Sequence, residues 1–472
     1  MHRPITKKKI KKALLIRPPT TLPKKDLFSG VGEPLGLLYI AATLERKGYL
    51  VQILDAQLHF NKTIKKDHIT YGMKNSQITE EIKKASPDII GISWFTASNE
   101  HDVHNICKLA KRINPDTPIV LGGSYPTLFP LEVIRNPFID YVIMGEGEPR
   151  FPKLIEHINN DQHINANGII SKDPASHPNA NQPLEFIKNL DELPFPSRHL
   201  VDMKKYKDVN SKHKFADSPE GLLIATRGCF NKCYYCCEYK KSGTKIRHRS
   251  VKNIIKEIRF LKNQYGYQNF WFLDNNISAG KKFLQELTAA IKKENIRWSI
   301  PSGIYPDVID KKMVKLFAES GLESLGISVE SGSERTRKEI MRRTMNLDNV
   351  FIIRDEAKKY NLPVTGNFVI GILGEKKADI LATLDFIEKI DFDSAYFYIA
   401  LPVAGTDFYN DCLKRGYLPK NYSNIDEAMS FKYILNIPKN SDDFLMEPKH
   451  LEKIILNFSK TLKMKENKKK RK

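Results

Sequence analysis

Thr226-Arg227-Gly228-Cys229-Phe230-Asn231-Lys232-Cys233-Tyr234-Tyr235-Cys236 follows an apolar run, residues 222–225, that reads as a strand. The stretch sets three cysteines at Cys-x3-Cys-x2-Cys spacing. A cubane iron–sulfur cluster normally takes four thiolates, so three leave one iron with an open position for a substrate or cosubstrate. Zinc is the competing metal reading, but zinc favours paired Cys-x2-Cys units with a fourth ligand, and no second cysteine pair exists here. A disulfide framework suits short secreted chains better than 472 residues with six cysteines. Cys237 can stand in for Cys236 in a Cys-x3-Cys-x3-Cys loop. Cys107 and Cys412 read as small packed residues.

Downstream, apolar runs alternate with helical patterns. Strands are expected at 222–226, 270–273, 297–300, 324–329, 364–370 and 395–400, and helices near 251–265, 280–293, 311–319, 334–342, 347–360 and 377–389. Six such strand–helix units follow one another, and the cysteine loop lies directly after the first strand.

These residues together resemble the radical S-adenosylmethionine (SAM) superfamily, whose core is a partial (β/α)6 barrel. The resemblance implies that Cys229, Cys233 and Cys236 are the catalytic residues and metal ligands of a [4Fe-4S] cluster. Its open iron chelates SAM, which is cleaved to a 5′-deoxyadenosyl radical. Tyr235, the aromatic before the third cysteine, is placed against the adenine. Asp274, at the second strand end, and Glu330-Ser331-Gly332, at the fourth, are expected to contact SAM. The run from Gly366 to Gly371, with Gly374-Glu375, resembles the adenine-side motif, so Gly371 and Glu375 join the cofactor-binding set. Pro402-Val403-Ala404-Gly405-Thr406 resembles a Pro-x-Pro-Gly-Thr motif and departs from it at Val403-Ala404. Arg247 and Arg249, near Glu257, either meet anionic groups of SAM, corrinoid or substrate, or form surface ion pairs.

The first half reads as a second α/β unit. Strands are expected at 13–17, 51–55, 89–93, 119–121 and 141–144, with a first helix over 35–47 stopped by Gly48. Doubly wound sheets bind ligands beyond the carboxyl ends of their strands. Those ends carry Ser93 to Thr96, Gly122-Gly123-Ser124-Tyr125-Pro126 and Gly145-Glu146-Gly147-Glu148. Alone they allow any nucleotide-binding or purely structural domain. With Pro34-Leu35-Gly36-Leu37, the Asp55 strand end and the 87–93 segment in order, they resemble the Rossmann-like cobalamin-binding domain found upstream of many radical SAM barrels. Ser93, Thr96, Gly122, Gly123 and Glu146 are then expected to bind cobalamin. Many such domains carry Asp-x-His-x-x-Gly after the first strand; no histidine follows it here. Asp102-Val103-His104 lies later, on an expected helix, with Cys107 where glycine should be. The resemblance therefore implies cobalamin with no protein histidine on cobalt.

The expected organisation is a basic tail (1–12), a cobalamin domain (13–158), a Pro- and Asn-rich linker (159–219), a radical SAM core (220–410), a small substrate-shaping α/β region (411–462) and a second basic tail (463–472). Leu193-Pro194-Phe195-Pro196 resembles the motif that precedes such cores. Residues 451, 454, 455, 458 and 462 form an apolar helical stripe. Hydrophobic content of 41% supports real cores, and no apolar run approaches the roughly 20 residues of a membrane helix. With no secretory signal, a cytoplasmic location is expected. The net charge of +21 gathers partly in the terminal lysine runs. Nucleic acid, an anionic membrane surface or plain solvation each accounts for such tails, and no interleaved aromatics support a nucleic-acid binder.

Function is expected to be methylation of an unactivated carbon of a small-molecule or lipid substrate through methylcobalamin, with an external electron donor of flavodoxin or ferredoxin type. A cyclase of the anaerobic magnesium-protoporphyrin ester type is the alternative enzyme. A corrinoid-binding sensor is the non-enzyme alternative.

Overall fold

The computed structural model describes residues 9–23, 30–59, 61–64, 68–96, 99–212, 220–278 and 280–418, with 435, 437, 445 and 453 singly. The C-terminal apolar stripe, the tail from 463 and most of the expected 411–462 region lie outside the described residues. The chain divides into two compact units, chiefly residues up to 218 and residues from 219 onward.

The first unit is built on strands β1 (Lys12–Arg17), β2 (Leu50–Asp55), β3 (Ile89–Ser93), β4 (Ile119–Gly122), β5 (Tyr141–Ile143) and β6 (Ile169–Ser171). They lie in the order β2-β1-β3-β4-β5-β6. The first five are parallel; β6 runs antiparallel to β5. Helices cover both faces, so Ala13, Leu14, Leu15 and Ile16 are all buried and β1 reads as an unbroken apolar run. Helix Leu35–Arg46 starts after Pro34 and stops before Gly48, whose φ of +85° favours glycine. The strand order reverses between β1 and β3, which makes their carboxyl ends a topological switch point.

The segment expected as a linker is more than a connector. It contributes β6 and the helix Met203–Lys212, and buried Arg198 pairs with buried Glu33 at 2.7 Å. The edge strand is only three residues long and flanked by Asn and Pro, so it gives little periodic signal. A small antiparallel sheet of Thr20–Pro23, His68–Tyr71 and Lys62–Ile64 is a further addition.

The second unit carries six parallel strands in two ladders. β7 (Gly221–Leu223), β8 (Asn269–Phe272) and β9 (Arg297–Ser299) form one; β10 (Leu325–Glu330), β11 (Val364–Ile370) and β12 (Ser394–Ile399) form the other. Parallel bridges Trp298–Leu322 and Ile304–Ile327 link the ladders into the expected partial (β/α)6 barrel. Helix Val251–Tyr265 begins where the Ser250 hydroxyl accepts from the Asn253 N–H and ends at Gly266, left-handed at φ +70°.

The helix expected over 334–342 is present over 334–340, and most of it is wound more widely than an α-helix. Residues Thr336–Ile340 form one wide turn, closed by Met341 N–H donating to the Thr336 carbonyl at 2.8 Å. Arg342 then takes a left-handed φ of +58°, which ends the turn and redirects Arg343.

Candidate active site

The cysteine loop is launched by a carboxylate. Asp274, just past β8, accepts from the Ala225 N–H at 3.1 Å, from the Thr226 N–H and from Thr226 Oγ1 at 2.6 Å. It is buried, and burial lifts its pKa to about 6 despite those donors. The resemblance assigned Asp274 to SAM; here its hydrogen bonds fix the turn ahead of Cys229. Gly228 follows at φ +101°, with the Lys245 carbonyl where a Cβ would stand. Arg249 meets Glu257 at 2.6 Å, both side chains almost fully buried, so this pair is internal rather than a surface one.

All six cysteines are free thiols. Among the described residues no three His, Cys, Asp or Glu side chains close on one point as a single metal ion requires. A cubane asks for something else, since each thiolate reaches a different iron. Each loop sulfur accepts from its own donor: Cys229 from Asn276 Nδ2 at 3.9 Å, Cys233 from Arg343 at 3.9 Å and Cys236 from the Glu238 N–H at 3.4 Å. Such contacts tune and stabilise cluster thiolates. Burial raises the pKa of Cys233, which Arg343 partly offsets, and lifts Cys236 to about 12. Both are thiols until a metal displaces the proton. Three thiols on one loop, each with a donor, fit three corners of a cluster.

Beside Cys233 lies a second, charged group. Glu330 ends β10 in the left-handed region, φ +70°, where the register with β11 slips. A non-glycine residue there is strained, and such strain gathers at functional sites. Arg343 approaches Glu330 at 3.4 Å, donates to the Ser328 carbonyl at 3.4 Å and lies 5.4 Å over the Tyr305 ring. Burial opposes its charge, but Glu330, Tyr235 and Cys233 together hold the guanidinium protonated. Burial and the Glu330 carboxylate, to which it hydrogen-bonds, keep the Tyr235 phenol protonated. The structure thus gathers Tyr235, Glu330 and Cys233 and adds Arg343. Sequence reasoning missed Arg343 because it closes a Lys/Arg-rich run, 335–343, in which no residue stands out.

Ser331 and Glu375 are placed differently. The Ser331 hydroxyl is fully buried and 3.0 Å from Thr383 Oγ1, in the packing against helix Lys377–Ile390. Glu375 accepts from the Gly371 N–H at 2.6 Å, and Gly371 has φ +80°. Burial lifts the Glu375 pKa to about 8, against the donors that favour its charge. Both residues shape strand-end turns.

In the first unit, the carboxyl ends of β3 and β4 are joined by Trp94 N–H donating to the Gly122 carbonyl at 2.8 Å. Trp94 stacks on Tyr125 at 4.4 Å. Gly123 has φ +112°, and a Cβ there would lie 2.6 Å from the Trp94 carbonyl. A Cβ on Gly122 would meet nothing closer than 3.7 Å, so its backbone is approachable. Ser93 is half-buried at the strand end, and the Thr96 hydroxyl lies 3.1 Å from Asn99 Oδ1. The open Gly122 backbone leaves room for a ligand at these strand ends. Glu146 is engaged elsewhere: its carboxylate accepts from the Ile187 N–H at 2.6 Å. Asp55 is likewise engaged, by Arg17 at 2.7 Å and the Tyr206 hydroxyl at 2.6 Å.

Fold and site define the class: an enzyme with a thiolate-loop partial barrel preceded by a doubly wound ligand-binding domain. The Radical SAM superfamily model matches residues 223–387, and the B12 binding domain model matches 27–155. The cytidylyl-2-hydroxyethylphosphonate methyltransferase of Streptomyces wedmorensis is 30% identical over 91% of this chain and 87% of its own. The anaerobic magnesium-protoporphyrin IX monomethyl ester cyclase of Synechocystis is more distant, 26% identical over 85% and 77%. The radical SAM methyltransferase TsrM of Kitasatospora setae, solved with cobalamin and a [4Fe-4S] cluster, shares the fold at TM-score 0.66 and 15% identity, over 86% of this chain and 78% of that one. This chain belongs to the cobalamin-dependent radical SAM methyltransferase family.

Proposed function

We propose that the chain moves a methyl group from SAM to an unactivated carbon of a small-molecule or lipid substrate. The observation that carries this reading is the partly buried Tyr235–Glu330–Arg343 group set against Cys233. When bound, a [4Fe-4S] cluster supplies the electron that cleaves SAM, and cobalamin supplies the methyl carrier. Cys229, Cys233 and Cys236 hold three irons. Glu330 accepts from the SAM amino group and Arg343 pairs with its carboxylate, so the zwitterion meets its complement. Tyr235 borders the adenine. Asp274, Ser331, Gly371 and Glu375 hold the turns that carry these groups.

Ser93, Thr96, Gly122 and Gly123 cradle cobalamin, and no histidine ligates cobalt. His104 lies on helix Glu100–Ile113, after the third strand and not the first, with its ring edge-on to Trp94 at 5.2 Å. Cob(II)alamin bound to the protein should give an EPR spectrum without nitrogen superhyperfine structure from a protein imidazole, unchanged in His104→Ala. Such splitting, lost in that variant, would refute the claim. An external flavodoxin or ferredoxin supplies electrons, for which exposed Lys232 on the cysteine loop offers a contact of suitable charge. Among the described residues no helix is long and apolar enough to cross a membrane. Contact of the basic ends with anionic lipid is tested by salt-sensitive sedimentation with phosphatidylserine vesicles; absence of sedimentation at low salt sinks it.

The main test is anaerobic. Protein reconstituted with iron, sulfide and hydroxocobalamin is given SAM and reductant, with cytidylyl-2-hydroxyethylphosphonate as the first probe substrate and Cys233→Ala as control. Formation of 5′-deoxyadenosine, lost in the variant, is the expected result. SAM cleavage with no bound corrinoid would overturn the methyl-transfer mechanism.

A further inference from the structure

We propose that Tyr234 is a positioning residue that sets the thiol loop against the Glu330–Arg343 pair. The inference rests on the reading above and adds a residue to which neither the cysteine motif nor the family resemblance gives a role.

Tyr234 stands between Cys233 and Tyr235 and ties together three loops at the carboxyl end of the barrel. Its N–H donates to the Met341 carbonyl at 3.2 Å, at the end of the wide turn that delivers Arg343. Its carbonyl accepts from the Phe408 N–H at 3.0 Å, in the first turn of helix Asp407–Lys414 after β12. Its hydroxyl donates to Asp411 Oδ2 at 2.7 Å, one turn along that helix. The Arg342 guanidinium lies 5.3 Å over its ring and also pairs with Asp407 at 2.6 Å. The loops after β7, β10 and β12 thus meet on one side chain and its backbone. Thr406, last of the Pro402–Thr406 motif, serves the same end: its hydroxyl accepts from the Tyr409 N–H and starts the helix.

For packing alone, phenylalanine would fill the space among Met341, Ile372, Leu373 and Phe408. The hydroxyl adds a directional bond to a carboxylate, which packing does not need. Cys233 and Tyr235, the flanking residues, reach Arg343 and Glu330. Rotation of the loop about residue 234 would move both. Misplacement of about 1 Å at a reacting site is costly.

The experiment uses the full chain, reconstituted anaerobically, as wild type, Tyr234→Phe and Asp411→Asn. Iron and sulfide per chain, melting temperature, the EPR spectrum of the reduced cluster with increasing SAM, and kcat and KM for 5′-deoxyadenosine formation are measured. Wild-type iron content, a KM for SAM raised about tenfold and a matching rise in the SAM needed to shift the EPR spectrum are expected in Tyr234→Phe. Asp411→Asn, which keeps an acceptor for the hydroxyl, should fall between it and wild type. A lowered melting temperature with unchanged KM and EPR titration would make Tyr234 a packing residue and overturn the proposal. Wild type that loads iron but neither cleaves SAM nor responds to it by EPR would instead overturn the functional reading, and this inference with it.

Discussion

Glu146 and Glu330 are both buried carboxylates at the carboxyl ends of parallel strands, one in each unit, and their backbones differ. Glu146 has an extended φ of −79° and leads into helix Gly147–Asn159. Its carboxylate is taken by the Ile187 N–H, and its carbonyl accepts from Arg150 at 2.9 Å. Glu330 is held at φ +70°, beside a register slip, facing a guanidinium and a phenol next to a thiol. An acid that organises its own fold can do so from relaxed backbone. An acid in a strained position needs its surroundings to hold it there, and the strain marks the reacting site.

Replacing each acid tests that contrast most directly. Glu330→Ala leaves Arg343 buried beside an empty position, a defect of about 3–5 kcal/mol. We expect SAM affinity to fall by at least about 100-fold, read by calorimetry on cluster-loaded protein. Glu146→Ala should lower the melting temperature and leave SAM affinity within about twofold. If both variants lose SAM equally, the distinction between the acids fails.

Gly123→Ala probes the same contrast from the first unit. The added Cβ meets the Trp94 carbonyl in backbone that disfavours any L side chain. A cost of about 1–3 kcal/mol in strain is expected there. Cobalamin retained after gel filtration should drop about tenfold or more, while cobalamin-independent SAM cleavage by the barrel survives. Undiminished retention would remove Gly123 from the cobalamin cradle.

Arg343→Lys sharpens the comparison on the side of Glu330. Lysine keeps the charge and loses the planar fork that reaches Glu330, Ser328 and Cys233 at once. The expected result is a KM for SAM raised about tenfold with cluster content intact. An unchanged KM would reduce Arg343 to a counter-charge.

How far these residues could be read in advance follows from the range of their interactions. β11 was legible to the residue because its strand-forming residues, Val364, Thr365, Phe368, Val369 and Ile370, are bounded by Pro363 and Gly371. The cysteine loop was legible because all its ligands lie within eight residues. Asp274 was found by its place at a strand end, but its work on Thr226 depends on a contact 48 residues away. Arg343 was hidden by a wide turn whose composition is that of a helix. β6 was hidden because an edge strand of three residues has no period to detect. Local pattern therefore reported the scaffold and the metal ligands, and long-range contacts decided which strand-end residues face the chemistry.

Glu375 gives the smallest effect and the finest test of that division. Its carboxyl is buried with pKa lifted from an ordinary value near 4.5 to about 8. Folding therefore retains a proton that the unfolded chain releases. The stabilisation is complete below 4.5 and fades as pH rises toward 8. Glu375→Gln mimics the protonated form and keeps an acceptor for the Gly371 N–H. The variant should match wild type near pH 5 and melt a few degrees higher at pH 8, about 2–4 °C for each kcal/mol gained. Scanning calorimetry from pH 5 to pH 8 reads the difference in slope. A variant whose stability tracks wild type across that range would mean that Glu375 is ionised in the folded chain. It would then stand with Glu330 among the charged residues of the site, not with Glu146 among those that hold the fold.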